Sequence, residues 1–244
     1  MYVAIPKELN NLEPRVAATP GSVKQIIKSG LDVYVESGAG LKSFISDDAY
    51  QSSGATIINS SKELLNNADI TLKVLSPSNE EIDLLKEKSV FVSLCQTTRE
   101  LETVRNLTKK KISAFSMHLI PRTTLAQKMD ALSSQANIAG YKAVLIAASR
   151  LGVYMPLLMT AAGTIRPSKV LILGAGVAGL QAIATAKRLG AQVEAFDVRP
   201  VVKEQVESLG AKFIEVESES DDGVGEGGYA KETSEDYKKK QQEL

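Results

Sequence analysis

The sequence has no tryptophan, one cysteine (Cys95), one histidine (His118), and aromatic residues at only 5% of its 244 positions. One thiol excludes a disulfide framework, and one thiol beside one imidazole falls short of the ligand sets of zinc sites, so no metal centre is expected. Net charge is also missing. Lys and Arg total 29 and Asp and Glu total 29, so there is no field to attract nucleic acid or an anionic membrane. No stretch approaches the ~20 apolar residues that span a bilayer. The opening "MYVAIPKE" has neither a signal peptide's basic and apolar regions nor the arginines of a transit sequence. These absences predict a cytoplasmic chain in a reducing compartment that does not itself insert in a membrane. What is present, 43% hydrophobic and 24% charged residues, suits a globular chain of two modest domains or one large one.

Short β-branched runs alternate with helical patterns. "YVAI", "DVYVE", "ATII", "ITLKVL", "VFVSL" and "ISAF" are separated by segments such as "PGSVKQIIKSG" and "SSKELLNNA". This βαβ rhythm predicts a mostly parallel sheet. Thr19 before Pro20 reads as a helix N-cap, and Gly30 as the same helix's C-terminal glycine. An apolar pattern predicts a long helix from about Asn137 to Met159, interrupted near Pro156. The expected organisation is an α/β chain of two Rossmann-like parallel-sheet domains, 1–136 and 167–244, joined by a helix and linker over 137–166. The acidic, glycine-rich segment Glu215 to Gly228 reads as a surface loop.

The second domain carries the most specific motif. Gly174, Gly176 and Gly179 form GxGxxG, with Ala175 and Val177 between them, directly after the strand "KVLIL" and at the start of an alanine-rich helix. The first glycine permits a tight turn, the second lets backbone approach a pyrophosphate, and the third lets helix pack on strand. The phosphates would sit on the helix N-terminus, where N–H groups and the dipole favour anions. Asp197, 18 residues past Gly179, ends the next strand "QVEAF". There it is placed to accept hydrogen bonds from an adenosine ribose and to repel a 2′-phosphate, which predicts NAD(H) rather than NADP(H). Val198 and Arg199 follow it, and Arg199 reads either as the neighbour of Asp197 or as an acceptor for a 2′-phosphate.

The stretch "PRTTLAQKMDALSSQANIAGYKAV", Pro121 to Val144, gathers Arg122, Gln127, Asp130, Ser133, Ser134, Gln135 and Asn137 ahead of the long helix. One reading is a solvated loop and helix cap. This stretch, the "GAGVAGLQAIATAKRLGAQVEAFDVRP" region and the later "GGYAKE" together resemble the NAD(H)-binding domain of the proton-translocating nicotinamide nucleotide transhydrogenase, alpha subunit. More distantly the chain is similar to alanine dehydrogenase. The resemblance implies that Arg122, Gln127, Asp130 and Ser133 form a loop at the nicotinamide, and that Tyr229 belongs to a loop closing over NAD(H). It implies Si-side/Re-side specific hydride transfer between NADH and NADP+ held on a partner domain. A homodimer is implied too, attached through partner subunits to the cytoplasmic face of the membrane that they span. Gln127 offers the donor and acceptor a carboxamide needs, and Arg122 with Asp130 can form a charged pair. Hydride transfer between nicotinamides needs positioning and exclusion of water rather than an acid or base.

Two other readings stand beside this one. Arg15 and Lys73 match the arginine and lysine that hold substrate in alanine dehydrogenase, but the histidine serving there as acid/base falls at about Cys95, which reads as a buried small hydrophobe. His118 lies on another strand end and reads as a satisfied surface or interface residue. The third reading is a non-catalytic NAD-binding fragment. After Gly174 only "KVLIL", "QVEAF" and "KFIEV" read as strands, followed by a polar helix "AKETSEDYKKKQQEL". The second domain is therefore expected to hold one half of a doubly wound fold.

Overall fold

The computed structural model describes residues 1–121 and 123–216, with Ser234, Tyr237 and Lys239. It divides into two compact units, Met1–Asp130 and Ala131–Leu244.

The first unit is built on six strands, β1 (Tyr2–Ile5), β2 (Asp32–Glu36), β3 (Thr56–Ile58), β4 (Ile70–Leu72), β5 (Val90–Ser93) and β6 (Ser113–Ser116). They form one parallel sheet in the order β3-β2-β1-β4-β5-β6. That is the strand order of a doubly wound fold, whose sheet is covered by helices on both faces. Both faces of β1 are accordingly buried. Val3 and Ile5 pack with Val23, Val33, Val35 and Tyr50, while Ala4 packs on the other side with Leu64 and Ala68. The helices start where the sequence supplies caps. In α1 (Pro20–Lys28) the Thr19 side chain accepts from Ser22 N–H, and Gly30 follows at φ +83°. In α3 (Ser61–Asn67), after the short α2 (Asp47–Gln51), the cap is Ser60. In α4 (Asn79–Leu84) Ser78 and Glu81 form a reciprocal capping box. A fifth helix, α5 (Leu101–Lys109), precedes β6.

The second unit opens with α6 (Ala131–Arg150) and continues through strands β7 (Leu158–Thr160), β8 (Gly163–Ile165) and β9 (Lys169–Leu173). Next come α7 (Val177–Arg188), β10 (Gln192–Phe196), α8 (Lys203–Ser208) and β11 (Lys212–Ile214). Strands β11-β10-β9 form a parallel sheet, and β7 with β8 an antiparallel hairpin.

Two features differ from the sequence expectation. The long helix lies over Ala131–Arg150 rather than Asn137 to Met159. It includes Ser133, Ser134 and Gln135, and it ends at Arg150, ahead of Gly152 and Pro156. Beyond it the chain forms the β7–β8 hairpin in place of further helix, with Gly163 at φ +139°.

Helices α6 and α7 approach unusually closely. A Cβ on Gly140 would lie 2.0 Å from the Ala178 carbonyl oxygen, so only glycine permits the contact. The core beneath is Val144, Ile183, Ala186, Val193, Ala195, Val206 and Phe213. Among the described residues no helix is long and apolar enough to cross a membrane.

Candidate nucleotide site

The glycine turn joins β9 to α7. Gly174 takes φ +94°, the left-handed conformation a tight turn requires. At Gly176 a Cβ would meet no atom within 4 Å, so the backbone there is open to approach. A Cβ on Gly179 would lie 1.8 Å from the Gly174 carbonyl oxygen, so the third glycine sets how tightly α7 closes on the strand. Gly176 caps α7 without a side-chain hydrogen bond, and the first turn of that helix presents the positive end of its dipole. Ala175 is buried, Val198 half-buried, and Val177 exposed.

Asp197 lies one residue beyond β10 and reaches back under this turn. Its Oδ2 accepts from Ala175 N–H at 2.7 Å. Arg199 closes on the same carboxylate, with Nε donating to Oδ1 at 2.9 Å and Nη2 to Oδ2 at 2.9 Å. The Arg199 backbone N–H donates to Oδ1 at 2.9 Å. Burial pushes the Asp197 carboxyl up, but the hydrogen bonds from Arg199 and Ala175 outweigh it and hold the group below the usual carboxylate range. The same pairing raises the Arg199 guanidinium. Arg199 is thus the paired neighbour of Asp197 in the structure.

The polar stretch after β6 is a run of tight turns. Thr123 N–H donates to Pro121 O, and Ala126 and Gln127 N–H donate to Thr123 O. A short 3-10 turn follows at Gln127–Met129. Gln127 is exposed and Asp130 half-buried in the first unit, whereas Ser133 is half-buried in the first turns of α6 in the second. Asn137 on α6 donates to Gln181 of α7 at 3.0 Å. Arg122 and Tyr229 lie outside the described residues, as do most of the acidic, glycine-rich segment and of the polar C-terminal stretch.

The first unit holds a second polar cluster, at the carboxyl ends of β1 and β4 where the strand order reverses. Lys73 Nζ donates to both Glu81 oxygens, at 2.6 and 2.8 Å, and lies 3.8 Å from Glu8 Oε2. Glu8 accepts from Val74 N–H at 2.7 Å, and burial raises its carboxyl above the usual range against the pull of these hydrogen bonds and of Lys73. Arg15 clasps Glu13 through Nε at 2.7 Å and Nη2 at 2.6 Å. Glu8, Glu13 and Glu81 were not singled out from sequence. Only Glu81 carried a signal, as the last residue of the capping box "SNEE". Cys95 is buried, its thiol pushed up by burial, and its Sγ lies 3.6 Å from Glu100 Oε2. His118 Nδ1 lies 2.6 Å from Ser116 Oγ, which also donates to the Cys95 carbonyl. Ser116 spends its one proton on that carbonyl, so His118 Nδ1 donates to Ser116. Among the described residues no cluster of His, Cys, Asp and Glu is placed to hold a metal ion.

Comparison with known proteins places both units. The family model described as alanine dehydrogenase/PNT, N-terminal domain, matches residues 4–139, and that described as alanine dehydrogenase/PNT, C-terminal domain, matches residues 143–243. The chain is 47% identical over 244 aligned positions to NAD(P) transhydrogenase subunit alpha of Haemophilus influenzae, covering 100% of this chain and 47% of that one. A crystal structure of transhydrogenase from Sinorhizobium meliloti superposes with a TM-score of 0.85 at 47% identity, covering 88% of this chain and 64% of that one. An L-alanine dehydrogenase structure gives a TM-score of 0.78 at 27% identity, covering 87% of this chain and 60% of that one. The chain thus spans less than two thirds of the length of these relatives.

Proposed function

Because the chain belongs to the alanine dehydrogenase/PNT family, we propose that it is the NAD(H)-binding component of a proton-translocating NAD(P) transhydrogenase. The observation that carries the reading is the tie between the glycine turn and the acid after the next strand, Asp197 Oδ2 accepting from Ala175 N–H at 2.7 Å. A turn that only packed helix on strand would need Gly174 and Gly179. It would need neither the open space at Gly176 nor a carboxylate held beside it.

In this reading the first turn of α7 receives the pyrophosphate, with Ala175, Gly176 and Val177 approaching it through backbone. Asp197 takes the adenosine ribose, and Val198 and Arg199 line that part of the site. Gln127 holds the nicotinamide carboxamide, while Arg122 with Asp130, and Ser133, fix the segment around it. NADH, when bound, supplies the hydride, and the chain's own groups position and exclude water without a proton acceptor. NADP(H) is held by a partner chain, and a membrane-spanning partner couples transfer to proton movement. We place the chain as a homodimer, peripheral on the cytoplasmic face, with Tyr229 closing over the bound nucleotide.

The alanine dehydrogenase reading lacks a positioned proton acceptor, since the place of that family's histidine falls at about Cys95, a buried thiol. The test is single-turnover hydride transfer from NADH to an NADP analogue with the NADP(H)-binding partner added, against pyruvate-dependent NADH oxidation by the chain alone. Transfer in the first assay and none in the second is expected. The reverse pattern would establish the amino-acid dehydrogenase instead.

A further inference from the structure

The Asp197 carboxylate is saturated. Oδ1 accepts from the Arg199 backbone N–H and Nε, and Oδ2 from Ala175 N–H and Arg199 Nη2. A carboxylate offers about four lone-pair sites, so no position remains for a further donor. The pair is also shielded, with the Arg199 and Asp197 side chains 14% and 5% exposed, which separates it from a surface ion pair of negligible consequence. Two of the four donors are backbone, and they cannot withdraw without undoing the glycine turn or the loop after β10. The other two belong to one guanidinium on a flexible stem. If that group swings away, one site opens on each oxygen, the pattern that the two hydroxyls of a vicinal diol can fill.

Resting on the dinucleotide reading above, we infer that Arg199 is a specificity-determining residue that competes with the adenosine ribose for Asp197. Its guanidinium holds the two carboxylate positions that a 2′,3′-diol must take, and it exchanges with that diol on binding. Each neutral hydroxyl that arrives replaces one charged donor, so affinity for the diol is reduced by whatever the ion pair was worth. A 2′-phosphorylated ribose has only one hydroxyl left and cannot fill both positions. Its phosphate can instead take the released guanidinium. Arg199 therefore lowers the affinity for an unphosphorylated ribose and supports whatever tolerance the site has for a 2′-phosphate. An arginine that served only to brace the loop would do neither, and its removal would weaken both ligands together.

The experiment is calorimetry of the 244-residue chain and its Arg199→Met variant with NADH, NADPH, ADP-ribose and 2′-deoxy-ADP-ribose. Arg199→Met leaves Asp197 desolvated with two unused positions, and should bind NADH and ADP-ribose roughly tenfold more tightly, the factor carried by 1.4 kcal/mol. The gain should shrink for the 2′-deoxy analogue and reverse for NADPH. Unchanged or weaker ADP-ribose binding by the variant would overturn the competition. A second measurement needs no variant: in the ¹⁵N-labelled wild-type chain, the Arg199 Nε–H resonance should move to the position and fast exchange of a solvated arginine on saturation with ADP-ribose. A resonance that stays put means the guanidinium never leaves, and the inference fails while the nucleotide site stands. Absence of any ADP-ribose binding to the wild type would instead remove the nucleotide reading, and the competition with it.

Discussion

Lys73 and Glu81 form a two-point contact of 2.6 and 2.8 Å with almost no access to water, their side chains 2% and 7% exposed. Glu8 sits 3.8 Å from the same ammonium, so one lysine faces two carboxylates at the carboxyl ends of β1 and β4. Removing one partner of such a group leaves charge buried without compensation, which costs about 3–5 kcal/mol. Lys73→Met should therefore destabilise the chain by that order in urea denaturation. Adding Glu81→Gln, which keeps an acceptor for Ser78 N–H, should recover part of the loss. A Lys73→Met variant as stable as wild type would show the cluster to be energetically idle.

The same cluster has a pH signature with a defined sign. Burial raises the Glu8 carboxyl above its unfolded value. Its contribution to stability is thus full at low pH and is lost as pH rises through the folded value, opposite to the lowered Glu13 and Asp197. Glu8→Gln removes this dependence. The stability of Glu8→Gln relative to wild type should climb as pH rises from the unfolded carboxylate value through the raised folded one, and then level off. A difference that is flat across that window, or that falls, would mean Glu8 is not destabilised by burial.

Much of the first unit was legible because its strands are short β-branched runs set between helical segments, with "YVAI" buried on both faces and "DVYVE" alternating. The caps at Thr19 and Ser78 depend on neighbours in sequence. The buried charges depend on contacts that sequence does not display, such as Glu8 accepting from Val74, 66 residues away. The β7–β8 hairpin was missed because each strand has three residues, all exposed, which leaves no alternation to read. Around the glycine turn the opposite held. Gly174, Gly179, Asp197 and Arg199 interact over short separations along a strand-turn-helix-strand unit, and their spacing reflects it. Gly140 gave no signal, since its constraint is the backbone of α7.

That constraint is testable. A Cβ at position 140 would meet backbone at 2.0 Å, where no flexible side chain can yield. Gly140→Ala should cost about 1–3 kcal/mol, the usual range for overpacking, and should weaken NADH binding by displacing the first turn of α7. Gly152→Ala, where a Cβ meets nothing within 4 Å, should stay within about 0.5 kcal/mol of wild type. Equal stability of the two variants would show that α6 and α7 do not touch as described.

Asp197 should also set the choice between cofactors. Its carboxyl is held below the usual range, so it is ionised at neutral pH and faces a 2′-phosphate as a like charge. Paired calorimetry should give tighter binding of NADH than of NADPH by the wild-type chain. Asp197→Ala should lose most of that preference through weaker NADH binding. Equal wild-type affinities, or an Asp197→Ala variant with undiminished NADH affinity, would remove Asp197 from the ribose.

Gln127 is expected to fail differently. In the proposed pose the phosphates and adenosine meet the glycine turn and Asp197, whereas Gln127 is assigned to the nicotinamide carboxamide, so its replacement should spare affinity and damage transfer. Gln127→Asn withdraws the amide by one methylene, and a misplacement of about 1 Å between reacting groups can cost on the order of a hundredfold in rate. The side chain is exposed in a 3-10 turn that begins with Gln127 N–H donating to Thr123 O, so the substitution removes no core contact and leaves stability near wild type. The measurement pairs the NADH dissociation constant with single-turnover transfer to an NADP analogue, in the assembly with its partner chains. Slow transfer at unchanged affinity places Gln127 on the ring. Weakened binding with intact transfer would put it elsewhere on the nucleotide, and no change in either would return this stretch to a solvated loop ahead of α6.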